Sequence, residues 1–202
     1  MLNNEKINAM REQLKTGIQV ISAPQLFPTP VDLAQRMSDI TLEPDSTEHG
    51  RSWKRTALHI LEPSAGTGQL IGALGASWYP CGKMVAVEIN STLVDRLKIE
   101  FPLTNVLQGD FLLCSPEELG YFDRVIMNPP FVNGSDIKHI THAVKFLKPG
   151  GRLVALCANG PRQQSKLKPL AEDSGGYYEP LPSGTFSAQG TSVNVALLII
   201  EG

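Results

Sequence analysis

Cysteine is scarce in this chain of 202 residues: Cys81, Cys114 and Cys157 are odd in number and far apart. That pattern excludes a disulfide framework and a compact zinc site, and the three thiols read as reduced interior fillers. No apolar run approaches the roughly 20 residues that a membrane span needs. The start Met1-Leu2-Asn3-Asn4-Glu5-Lys6 has neither the basic flank nor the apolar core of a secretion signal, so the expectation is a cytoplasmic protein without a membrane partner. A Gly-rich loop ending in Gly-Lys-Ser/Thr is missing, as is the glycine pattern that cradles a pyrophosphate, which disfavours nucleoside triphosphates and nicotinamide dinucleotides. There is no internal repeat or low-complexity tract.

Net charge is also small, at -2, but the sum hides a division of sign. From Asp136 to Lys168 there are seven Lys or Arg against one Asp, whereas Ala86 to Asp123 holds seven acids against Arg96 and Lys98. Lys138, Lys145, Arg162, Lys166 and Lys168 are therefore candidates for a basic surface beside an acidic cofactor region, the alternative being ordinary solvated faces.

What is present is an alternation of short apolar runs and amphipathic stretches. Strands are predicted at Ala57–Leu61, Met84–Val87, Asn105–Gln108, Arg124–Met127, Arg152–Ala158 and Val193–Ile200. Helices are predicted at Gly68–Ser77, Ser91–Phe101, Ile137–Leu147 and Gln163–Ala171, so the core is of the α/β class. Upstream, Asn8–Ile21 has helical character. Thr29–Ile40 reads as a helix with Thr29 as cap, Pro30 in the first turn, and Val31, Leu33, Ala34, Met37 and Ile40 on one face. Ala23-Pro24-Gln25-Leu26-Phe27-Pro28 must be extended, and 43–55 is a polar surface loop. The stretch around Tyr177–Pro182 has room for one more short strand, compatible with an antiparallel edge.

The first predicted strand leads into Leu61-Glu62-Pro63-Ser64-Ala65-Gly66-Thr67-Gly68, where Gly66 and Gly68 would let the main chain turn close to a ligand. Glu88, followed by Ile89, ends the second strand about twenty residues further on, where a carboxylate accepts ribose hydroxyls. Asp110 repeats the placement after the third, with Phe111 beside it to pack on a ring. Three acids at successive strand tips fit a nucleoside-containing cofactor. Glu62 suits a charged amino end, so S-adenosylmethionine is favoured over a dinucleotide.

The fourth strand ends in Asn128-Pro129-Pro130-Phe131. An exocyclic amine on adenine is a poor nucleophile because its lone pair is delocalised into the ring. The Asn128 side-chain oxygen and the Pro129 carbonyl can accept its two hydrogens and favour a pyramidal nitrogen, while the two prolines stiffen the loop and Phe131 stacks on the base. At these residues the chain resembles class I S-adenosylmethionine-dependent methyltransferases, and particularly the N6-adenine DNA methyltransferases. The resemblance implies a doubly wound, Rossmann-like seven-stranded mixed sheet with helices on both faces and a final antiparallel hairpin. It also implies a catalytic Asn128, Pro129, Pro130 and Phe131, with Asn128 bordering the donor as well. Donor-binding residues would be Glu62, Pro63, Ser64, Ala65, Gly66 and Gly68, then Glu88 with Ile89, and Asp110 with Phe111. Phe27-Pro28-Thr29-Pro30 resembles the N-terminal cofactor motif that precedes the glycine loop in the gamma arrangement.

The resulting expectation is a single methyltransferase domain over 1–202, with 1–40 as a helical segment closing on the cofactor and no separate target-recognition domain. The tail from Leu181 to Val195 resembles small phage or plasmid enzymes, and Phe186 either borders the target base or packs in the core. DNA is the expected partner and RNA the alternative, with a specificity subunit or a second copy of the chain as candidates for sequence choice. A glutamine methyltransferase and a non-catalytic binding module stay open. His139 and His142 share a helical face but lack a third ligand, so no metal site is expected.

Overall fold

The computed structural model describes residues 27–43, 58–77 and 82–202. The predicted helix at Asn8–Ile21, most of the 43–55 loop and Cys81 lie outside them. Helix α1 (Val31–Leu42) precedes β1 (His59–Glu62), α2 (Gln69–Ser77), β2 (Lys83–Glu88), α3 (Ser91–Glu100) and β3 (Asn105–Gln108). A 3-10 turn, Phe111–Leu113, then leads to α4 (Pro116–Leu119), β4 (Phe122–Met127) and α5 (Ser135–Ala143). The chain continues through β5 (Leu147–Ala158), α6 (Pro161–Asp173), β6 (Tyr177–Pro180) and β7 (Val195–Glu201). The seven strands lie in the order β3-β2-β1-β4-β5-β7-β6, and β7 runs antiparallel to both of its neighbours. This is the expected doubly wound mixed sheet, including the extra strand near Tyr177.

Side chains alternate across the pleat, so each strand serves two cores. Ile60, Ile126, Val154, Leu156 and Leu197 face a layer built from Leu33, Ala34 and Met37 of α1, Leu70 and Leu74 of α2, and Leu97 of α3. Leu61, Val125, Met127, Leu153, Ala155 and Leu198 face Ile140 of α5, Leu167 and Ala171 of α6, and the rings of Phe111 and Phe146. Cys157 is wholly buried there, and burial pushes its thiol up to about 12, which makes it the inert filler expected.

Helix α1 differs from the expectation at its start. Pro30 occupies the cap position and no side chain caps the helix, because the Thr29 hydroxyl is turned into the site described below. Val31, expected on the buried face, is 69% exposed, whereas Ala34 and Met37 are fully buried. At the other end, carbonyls of the last turn and of the cap residue Glu43 receive arginines from the sheet. Arg124, itself buried, donates from Nε to the Thr41 carbonyl at 2.9 Å, and Arg152 donates to the Ile40 carbonyl at 3.0 Å and the Glu43 carbonyl at 3.4 Å. Cations at a helix C-terminus satisfy those carbonyls and oppose the helix dipole. Arg36 adds a bidentate pair with Glu179 of β6. Helix α1 is thereby held to the sheet, and the segment preceding it is aimed at the ends of β1 and β4.

The loop after β1 turns through Gly66 (φ +52°) and Gly68 (φ +83°). Gly68 was expected to admit a cofactor, but a Cβ there would collide with the Phe101 ring and meet Leu97 Cδ2 at 2.7 Å. Its bareness lets the loop pack on the end of α3. Gly68→Ala adds a positive-φ penalty of about 1–2 kcal/mol to an overpacking cost of about 1–3 kcal/mol. The expected result, read by thermal unfolding, is a Tm lower by several degrees.

Candidate active site

In the sheet order the chain reverses direction between β1 and β4, and loops from the carboxyl ends of those neighbours diverge to leave a crevice. A cavity of about 420 Å³ lies there. Its lining brings together all of the sequence-predicted site residues except Gly68: the Phe27–Thr29 segment, Glu62 to Gly66, Glu88 and Ile89, Asp110 and Phe111, and Asn128 to Phe131.

On one side the lining is rich in acceptors. Glu62 ends β1 at 1% exposure, with Oε1 accepting from the Ser64 amide at 3.1 Å. Its Oε2 and the Ser64 hydroxyl are buried without a partner among the described residues. Burial, reinforced by the nearby Glu88 and partly opposed by the Ser64 amide, holds the Glu62 carboxyl well above the usual carboxylate range. Glu88 uses both oxygens to tie the turns together, accepting from Gly66 N–H and Asn90 N–H at 2.8 Å each, which leaves a second lone pair on each oxygen. Asp110 caps the 3-10 turn through Oδ1 and Leu112 N–H, and Oδ2 has no protein partner among the described residues. Ile89 is 68% exposed at the rim. Phe111 is less open than expected: its ring is buried against Phe146, His139 and His142, with centroids 5.1, 6.1 and 5.0 Å away. It forms a floor beneath the cavity.

Such a donor-poor wall, with two orphaned oxygens at one end and carboxylates at the next two strand tips, suits a ligand that brings ammonium and hydroxyl donors. Phosphates would meet repulsion there. S-adenosylmethionine has that complement of donors, so the residues present fit it.

The opposite side is the Asn128 loop. Asn128 Nδ2 donates to the Phe27 carbonyl and to the Thr29 hydroxyl, each at 3.1 Å. Since a backbone carbonyl can only accept, these bonds fix which end of the amide is nitrogen and leave Oδ1 as a free acceptor. Pro129 and Pro130 restrict the backbone immediately after. The half-buried Phe131 ring meets Phe186 edge to face at 6.5 Å and 81°. Phe186 is fully buried, so it packs in the core and backs Phe131 at once.

Ser135 and His139 also line the cavity, and sequence reasoning missed both. His139 Nδ1 is buried without a partner, and burial holds the ring below its ordinary pKa, hence neutral at pH 7. Its i, i+3 neighbour His142 instead contacts the Cys114 carbonyl through Nε2 at 2.9 Å, so that nitrogen carries the proton. Phe111 separates the two rings, and no metal-binding group of His, Cys, Asp and Glu occurs among the described residues. A helix face gave no hint of this division, because it depends on what the 3-10 turn after β3 places alongside.

The sheet order, the reversal at β1 and β4, and an acceptor-lined cavity there define a class I S-adenosylmethionine-dependent methyltransferase fold. The description Methyltransferase small domain matches residues 53–174, more than half of the sequence, and the chain belongs to that family. No curated protein matches it. Among solved structures it is similar to a Listeria monocytogenes protein assigned to the class I S-adenosylmethionine-dependent methyltransferases. That match has 18% identity over 99% of this chain and 68% of the other, with a TM-score of 0.65. TrmN from Thermus thermophilus is matched at 17% identity over 85% of this chain, which spans 48% of TrmN, with a TM-score of 0.62. A Pyrococcus horikoshii protein assigned as an RNA methyltransferase is matched at 16% identity over 91% of this chain and 92% of the other, with a TM-score of 0.61.

If the donor's amino end lies against Glu62, the raised pKa of that carboxyl links binding to proton release. An ammonium beside Glu62 favours the ionised carboxylate, so below the raised pKa binding expels a proton and affinity climbs with pH, levelling off above it. Calorimetry in two buffers of different ionisation enthalpy is expected to show proton release for the wild type and none for Glu62→Gln. In the donor-free protein the same shift lowers stability as pH rises from the ordinary carboxylate range through the raised value, since folding then keeps a proton that the unfolded chain has lost.

Proposed function

We propose that this protein transfers a methyl group from S-adenosylmethionine to an exocyclic amine of a purine base in a nucleic acid. The observation that carries the proposal is the fixed Asn128 amide, whose nitrogen is engaged by Phe27 and Thr29 and whose oxygen is left to accept. When bound, S-adenosylmethionine supplies a methyl group on a positively charged sulfur. Glu62 and the loop to Gly66 take its amino end, with Glu88 and Asp110 on the nucleoside, and Phe27 to Thr29 close over it. Asn128 Oδ1 and the Pro129 carbonyl accept the two amine hydrogens, which turns the nitrogen lone pair toward the methyl carbon. The donor would give up its methyl group with its sulfur keeping the bonding pair, and the amine nitrogen held by Asn128 and Pro129 would lose its proton to water. Phe131, backed by Phe186, stacks on the base. A base in a duplex must be flipped out to reach this loop.

Two polymers fit the same loop. RNA, with adenine or guanine as target, is favoured by the fold shared with a protein assigned as an RNA methyltransferase. Adenine N6 in DNA is supported by the motif order, with Phe27–Thr29 ahead of the Glu62–Gly66 loop as in the gamma arrangement. In either case a partner subunit or a second copy of the chain is a candidate source of sequence choice.

Transfer of radiolabelled methyl to parallel pools of RNA, duplex DNA, single-stranded DNA and protein extract, followed by digestion, tests this. Label on a purine amine in RNA or DNA is expected, and it selects the polymer. Label confined to glutamine, or none despite measurable donor binding, would overturn the proposal. Asn128→Ala is expected to lower kcat by about 10²–10³-fold, the usual loss for one preorganised polar group, while donor Kd shifts little. Thr29→Val removes one of the two acceptors that hold the Asn128 amide, and a kcat loss of about tenfold follows from the one lost hydrogen bond.

A further inference from the structure

The cations between Asp136 and Lys168 divide into two groups. Lys148 pairs with Asp123 and Arg152 with Glu201, both at 2.8 Å, and Lys168 lies 3.8 Å from Glu172. Lys138, Lys145, Arg162 and Lys166 are exposed and have no ion pair among the described residues. Three of these four gather at the carboxyl end of the sheet. Lys138 is in the first turn of α5, between Ser135 and His139, which both line the cavity. Arg162 is in the first turn of α6, and Lys166 follows one turn later on the same face.

A buried carboxylate sets the spacing of those two helices. Asp136, wholly buried, accepts from Gln163 Nε2 at 3.1 Å on Oδ1 and 3.0 Å on Oδ2, and Oδ2 also accepts from Ala158 N–H at 2.9 Å. Oδ1 completes the set by accepting from Ile137 N–H at 2.9 Å. The first turns of α5 and α6 and the tip of β5 are thus joined at one point, five residues after Phe131. Lys138 and Arg162, two residues and one residue from the joined pair, are carried beside the acceptor loop.

Neither helix carries an exposed acid in its first two turns. The remaining carboxylates of α6 are Glu172 and Asp173 at its far end, and α5 has none besides the buried Asp136. Across the crevice the strand tips carry Glu62, Glu88 and Asp110. The sign of charge therefore changes at the boundary between β1 and β4.

Resting on the nucleic-acid reading above, we propose that Lys138 and Arg162, extended by Lys166, form the surface on which the phosphates of the substrate strand lie while its target base occupies the Asn128 loop. The acidic donor side repels the strand, which restricts its path to α5 and α6. Contacts of this kind position a strand without reading its sequence.

Binding of fluorescent single-stranded RNA and duplex DNA oligonucleotides over a range of salt concentrations tests the proposal. Each phosphate contact adds about 0.7–0.9 to the slope of log affinity against log salt. Lys138→Ala and Arg162→Ala should each reduce the slope by about that much, and the double variant should raise KM for the polymer with donor Kd unchanged. Lys98→Ala, an exposed cation on α3, should leave the slope alone. Wild-type slopes in both single variants, or an equal drop in Lys98→Ala, would overturn this surface. So would displacement of the oligonucleotide by polyglutamate at equal charge, which would assign an acidic polypeptide instead. Methyl label on a nucleic acid with unchanged variant slopes removes the surface and keeps the proposed function; donor binding with no label on any nucleic acid removes both.

Discussion

The arrangement depends on the two hydrogen bonds that Asn128 Nδ2 makes to Phe27 and Thr29, across 101 and 99 residues of sequence. An asparagine at a strand tip could present either end of its amide, and only one end can accept hydrogens from an amine. The segment before α1 settles the choice because its carbonyl has nothing to donate. That segment is in turn held by α1, whose last carbonyls are received by Arg124 and Arg152 on the sheet. The polarity of one amide thus rests on a helix docked by its opposite end. A change at either arginine would reach the acceptor loop without touching it.

The two sides of the crevice have opposite requirements. The β1, β2 and β3 tips present carboxylates, one of them so buried that its pKa is held well above the usual carboxylate range. The β4 tip presents neutral acceptors on a stiff loop, where a charge would compete for the amine hydrogens without improving their geometry. Placing both on one parallel sheet is possible because neighbouring strands send their carboxyl ends to the same edge, about 4.8 Å apart. Adjacency of β1 and β4 then brings Glu62 and Asn128 to one cavity although 66 positions separate them.

The parts of this design that depend on chain-local chemistry were legible in the sequence. Strand β3 falls on Asn105–Gln108 as predicted, and the acids at the strand tips could be found because each follows a short apolar run. Proline-stiffened Asn128 was legible for the same reason. What was hidden depends on partners far along the chain. A threonine before a proline looks like a helix cap by local rules, and its actual partner is Asn128, just after β4. Gly68 resembles a cofactor glycine until Phe101 is seen against it. Phe111 and His139 exchange their expected surroundings because the 3-10 turn after β3 packs under α5. Local pattern sets where elements begin and end, whereas side-chain destinations at their ends are set by tertiary neighbours.

Strand β7 lies between β5 and β6, yet it follows both in the chain. During synthesis the β5 edge, with Leu153, Val154, Ala155 and Leu156, has no partner on that side until residues 195–201 have been made. The residues that line the cavity, from Phe27 to His139, have all been made by then, so a nascent chain can hold the whole candidate site and still expose an apolar sheet edge. Such an edge is a template for pairing with another chain. The quality of expression, and the yield of soluble enzyme after any truncation near the final strand, is therefore governed by the closing of that seam more than by the active site.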